Sequence, residues 1–83
     1  MLWNDDWRSN IKIDEPECYE RLGCGTNTKK DLPIIATYIH KENPYRTKEE
    51  CLDRAIYWVT DLNGQISILP DDEEYKKLLA ITK

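Results

Sequence analysis

Thr47 followed three residues later by Glu50 is a capping-box pair, and directly behind it Cys51, Leu52, Ala55, Ile56, Val59 and Leu62 recur at helical spacing. No other stretch of the chain restricts its fold so tightly. The pattern predicts a helix from Lys48 to about Leu62 with one apolar stripe, which the rest of the chain must cover. Trp58 falls at the edge of that stripe beside Cys51. Tyr57 lies about 140° from Leu52 at 100° per residue, nearly opposite the stripe and among Glu50, Asp53, Arg54 and Asp61.

A competing pattern overlaps the end of this segment. Asn63-Gly64, between Ile56-Tyr57-Trp58-Val59 and Ile66-Ser67-Ile68, is a strong hairpin signature. The six-position stripe fits a 3.6-residue period and the segment does not alternate at period two. Asn63-Gly64 is therefore read as a helix C-cap leading into a strand, Gln65 to Leu69.

Two further strands are expected. Ile11-Lys12-Ile13 alternates over a short span, and Pro33 opens a run to Lys41 with apolar groups on both faces, as in a central strand. Asn43-Pro44 ends that run. Pro16 starts a brief helix, Glu17 to Leu22, stopped by Gly23, and Gly23 to Asp31 reads as an exposed loop. After Pro70, Asp71 to Glu74 precede Lys76, Lys77 and Lys83 in a last helix whose charges complement its dipole, with Tyr75, Leu78, Leu79 and Thr82 on the inner face. The expected class is α+β: a small mixed three-stranded sheet packed on one main amphipathic helix, with shorter flanking helices. The second and third strands should run parallel through a right-handed crossover. The expected core is Leu52, Ile56, Val59, Ile35, Ile39, Ile66, Ile68 and Leu78.

Eighty-three residues support one small domain over 1–83. Residues 1–10 form a candidate N-terminal arm, in which Trp3 and Trp7 would share a face if helical. No apolar run approaches the roughly 20 residues needed to span a bilayer, and the opening residues lack the basic and apolar regions of a secretory signal. Cys18, Cys24 and Cys51 are too few for a disulfide framework. Reduced thiols and a cytoplasmic setting are expected.

Most chemistries find little support in the residues. Gly23 to Lys30 has the glycines and lysine of a phosphate-binding loop, but Thr28 replaces the glycine before the lysine and Lys30 replaces the metal-binding hydroxyl residue. Cys18, Cys24, Cys51 and His40 could supply four zinc donors, although neither a C-x-x-C nor an H-x-x-x-H pair is present. A zinc-binding module thus stands as one alternative. His40 is the single histidine, and nothing in the sequence brings it to Cys18, Cys24, Ser9 or Ser67 for nucleophilic catalysis, so no enzyme activity is expected. Lys29-Lys30 and Lys76-Lys77 are isolated pairs and the net charge is −4, which disfavours direct nucleic-acid or anionic-membrane binding; an acidic mimic of nucleic acid is a further alternative.

Recognition surfaces remain. Tyr57, ringed by Glu49, Glu50, Asp53 and Asp61, has the make-up of an aromatic anchor with a charged rim, and Trp3 and Trp7 form a second candidate contact. The expected function is a non-enzymatic interaction module, an accessory regulator or inhibitor that covers a basic site on a larger protein. The partner's identity and the oligomeric state are left open by the sequence.

Overall fold

The structure, a computed structural model, describes residues 2–63 and 73–82. Among these residues five α-helices follow one another: α1 (Trp7–Asp14), α2 (Pro16–Cys24), α3 (Leu32–Glu42), α4 (Lys48–Asn63) and α5 (Glu73–Ile81), with a 3₁₀ turn, Lys29–Asp31, leading into α3. Among the described residues there is no strand, so the expected three-stranded sheet and the α+β class are overturned in favour of a small all-helical globule. Ile11 to Ile13 lies within α1 and Ile34 to Lys41 within α3. Gln65 to Leu69, with Ile66 and Ile68, lies outside the described residues, as does Gly64 of the Asn63-Gly64 cap, while Asn63 is the last residue of α4.

α3 is the central element, packed against α1, α4, α5 and the 3₁₀ turn. Its burial explains both the helix and the misreading. Leu32, Ile35, Ala36 and Ile39 are fully buried, with Asn43 one turn on, a run at i, i+3, i+4, i+7 and i+11. A helix covered on several sides is apolar nearly all round, and over eight residues that looks like a strand with two apolar faces. Pro33 sits in the first turn, where its missing N–H costs nothing, and the Thr37 hydroxyl donates to the Pro33 carbonyl at 2.7 Å. In α1 the informative pair is Trp7 and Ile11, one turn apart and both fully buried, while Ile13 is 77% exposed.

α4 runs as its capping box predicts. The Glu50 amide donates to the Thr47 hydroxyl at 3.1 Å and the Thr47 amide to the Glu50 carboxylate at 3.3 Å. Cys51, Leu52, Ala55 and Val59 face the core, and Ile56 and Trp58 are half-buried against it. The Ile56 to Val59 arm of the competing hairpin is helical. α5 seats Tyr75 and Leu78 on α3 and α4, with Thr82 buried beyond its end.

The end of α2 is displaced from expectation. Gly23 lies inside the helix in open space, and the left-handed residue is Gly25, with φ of 67°. The Thr26 amide bonds the Arg21 carbonyl at 2.9 Å and the Gly25 amide the Leu22 carbonyl at 3.4 Å, a Schellman closure. The loop that follows is tied down from within. Asp31, 2% exposed, accepts from Arg21 Nε at 2.8 Å, Arg21 Nη2 at 2.6 Å, Asn27 Nδ2 at 3.0 Å and the Thr28 amide at 3.1 Å. Burial pushes the Asp31 carboxyl up, but the Arg21, Asn27 and Thr28 bonds together bring it below its ordinary value.

Candidate functional site

Residues 2–6 form a strap that crosses the α3–α4 turn and runs beside α4. Asn43, the last residue before Pro44 forces the chain out of α3, holds it. Asn43 is fully buried, and its side chain reads the strap's main chain in both directions: Oδ1 accepts from the Asn4 amide at 2.9 Å and Nδ2 donates to the Asn4 carbonyl at 2.8 Å. Its remaining capacity is used by the Ile39 carbonyl at 2.9 Å and the Tyr45 hydroxyl at 3.1 Å. The same single Tyr45 O–H is also within reach of the Leu2 carbonyl at 3.0 Å, and Glu42 accepts from Asn4 and Asn10.

The strap's side chains complete an alternating series of guanidinium groups and rings. Arg46 lies 4.0 Å from the Trp3 ring, Arg54 is 5.2 Å from Trp3 and 5.7 Å from Trp58, and Arg8 is 3.9 Å from Trp58. Each such contact contributes about 0.5 to 2 kcal/mol according to its exposure. Asp5 locks the middle of the series. One carboxylate oxygen accepts from Arg54 at 2.9 Å and the other from the Trp7 indole at 3.3 Å. Among the described residues Arg54 Nε and Trp58 Nε1 are buried donors with no hydrogen-bond partner.

Trp3 and Trp7 therefore do not share an exposed face. Trp3 is half-buried in the strap, whereas Trp7 has no exposed surface and packs edge-on against Trp58 at 6.0 Å, as part of the core. Sequence reasoning did not find Arg8, Arg46 or Asn43. The one local signal was Arg54 and Trp58, four apart on α4.

The outward face of α4 carries the other expected residues. Tyr57 is 59% exposed, set edge-on to Trp58 at 6.3 Å and 5.2 Å from the Arg54 guanidinium. Asp53 and Asp61, one turn to either side, are exposed, as are Glu49 and Glu50. Arg54 does not pair with Glu50; Arg46 does, at 3.2 Å, leaving Arg54 for Asp5. The Thr47 amide, and then Arg46, hold the Glu50 carboxyl below its ordinary value. Asp53 accepts from the Tyr75 hydroxyl at 2.9 Å, and burial followed by this bond pushes Tyr75 up to about 12.

The zinc alternative gains no geometry. Among the described residues no three His, Cys, Asp or Glu side chains gather in a way that could hold a metal ion. Cys18 and Cys51 are buried in the core and Cys24 is exposed, none of them in a disulfide. Among the described residues no helix is long and apolar enough to cross a membrane. An open groove of about 310 Å³ lies between α3 and the end of α5, lined by Ile34, Thr37, Tyr38, Lys41 and Ile81 with Glu15 at its rim. Compared with protein-family models, with curated proteins and with solved structures, the chain matches none.

Proposed function

We propose that this protein is an interaction domain that covers a basic surface on a larger protein through the outward face of α4, as an accessory regulator or inhibitor. The observation that carries this reading is Tyr57. A large aromatic side chain stands mostly in solvent, supported from one side by Trp58 and Arg54, with carboxylates one turn above and below it. Such a residue adds little to the stability of the fold and has the form of an anchor whose acidic rim steers a cationic partner.

The test begins with affinity capture and continues with surface plasmon resonance of variants at two salt concentrations. Asp61→Lys with Glu49→Lys reverses the rim without touching the Asp53–Tyr75 bond, and should slow association and flatten its salt dependence. Tyr57→Ala should speed dissociation by about 5- to 150-fold, equivalent to roughly 1 to 3 kcal/mol. Wild-type rates for both variants would remove this face from the binding site.

A further inference from the structure

We propose that the slot beside α4, filled in this structure by residues 2–5, is a recognition site for an extended segment of another protein carrying an aromatic residue and, two positions later, a carboxylate. The chain's own strap is then a resident occupant that such a segment displaces. This goes beyond the Tyr57 face and does not depend on it.

The slot reads an extended chain in two ways. Asn43 engages the N–H and C=O of a single residue, at 2.9 and 2.8 Å, a pairing that any extended backbone can satisfy. Alternate side chains are then read for identity. Trp3 meets Arg46 and Arg54, Asp5 meets Arg54 again, and the intervening Asn4 side chain turns toward Glu42. Aromatic ring and carboxylate on the same side, two positions apart, is the period-two pattern of an extended ligand.

The resident strap is held by contacts that can be exchanged. None of residues 2–6 belongs to the buried core, which begins at Trp7, and Leu2 is 93% exposed. What ties the strap down is a set of hydrogen bonds, one partly exposed ion pair and ring–guanidinium contacts. Nor does it satisfy the slot completely. Among the described residues Arg54 Nε and Trp58 Nε1 find no acceptor while it is in place, so a segment with a longer carboxylate or an extra hydroxyl could make bonds that Asp5 does not.

The experiment uses the full chain and a fluorescein-labelled peptide with the sequence of residues 2–6, Leu-Trp-Asn-Asp-Asp. In wild type the peptide competes with a tethered strap at an effective concentration on the order of millimolar, so binding measured by fluorescence anisotropy should be weak. Trp3→Ala with Asp5→Ala loosens the strap and should tighten peptide binding at least about tenfold. Adding Asn43→Ala, or replacing the peptide's tryptophan by alanine, should remove that gain. A loosened variant that keeps its circular dichroism yet binds no better than wild type overturns the proposal.

Should the loosened variant fail to fold, hydrogen exchange on wild type decides. Exchange of the Asn4 amide through a local opening, faster than that of the α3 and α4 core, is required, and exchange only by global unfolding overturns the proposal. If a second copy supplies the segment, wild type will form a concentration-dependent dimer that the free peptide dissociates. A dimer indifferent to the peptide, without peptide binding, counts against the slot.

Discussion

Replacing Arg21 by leucine removes the guanidinium from a carboxylate that the fold has taken out of water. The Asp31 side chain is 3% exposed and the Arg21 side chain 37%. Stripping the partner from a fully buried charge costs about 3 to 5 kcal/mol. Here Asn27 and the Thr28 amide stay in place, and the exposed flank of Arg21 shows where water would enter, so the expected loss is about 2 to 3 kcal/mol. A chain of this length has roughly 4 to 12 kcal/mol in total at about 0.05 to 0.15 per residue. Urea unfolding followed by circular dichroism should show a midpoint lower by about 2 to 3 M for a slope near 1 kcal/mol per M. The pH dependence separates charge from packing. In wild type the folded Asp31 value is depressed, so its stabilisation is present above the unfolded value of about 3.9 and is lost as pH falls through the lower folded value. In Arg21→Leu the burial effect is opposed by fewer bonds, the folded value rises, and protonation relieves the penalty. The gap between the two proteins should therefore shrink by more than half between pH 7 and pH 3. A gap below about 0.5 kcal/mol at pH 7, or one of equal size at both, would refute the reasoning and leave only the packing of the arginine stem.

Two further expectations follow from the core. Leu52→Ala should cost about 2 to 5 kcal/mol in the same urea assay, and a smaller loss than at the half-buried Ile56 would contradict the packing of α4. A thiol reagent should modify Cys24 in the native protein while Cys18 and Cys51, pushed up to about 11 mainly by burial, react only on unfolding. Those raised values also predict alkaline weakening: the neutral thiols stabilise fully below about pH 9, and this is lost as pH rises through 11, with Tyr75 following from about 10 to 12. Equal stability at pH 8 and pH 10.5 would contradict this.

What the sequence made legible was local. The Thr47–Glu50 box, the stripe behind it, Pro16 at the start of α2 and the exposure of Tyr57 are all determined within one or two turns of chain. Leu52, Val59, Ile35, Ile39 and Leu78 are in the core as expected, while Ile56 is only half-buried and Ile66 and Ile68 lie outside the described residues. α3 was misread because Ile34, Ile35, Thr37 and Ile39 are β-branched and carry strand propensity, which packing on several sides overrides. The strap was illegible for a different reason. Asn4 and Asn43 are 39 residues apart and Asp5 and Arg54 are 49, and no periodicity announces a contact at that range.

Those separations have a consequence for the order in which the protein is made. Synthesis at about 5 to 20 residues per second puts roughly 2.5 to 10 seconds between the appearance of Asp5 and that of Arg54. For most of that interval the nascent chain carries Trp3 without its guanidinium neighbours and Asn4 without its amide clamp. The backbone hydrogen bonds of each helix close within a few residues, but α1 too stays unburied until Trp58 is there to pack on Trp7. Docking of the strap therefore waits on α4, and until Arg54 has been made, a partner that recognises a short aromatic and acidic segment would meet it in the open state.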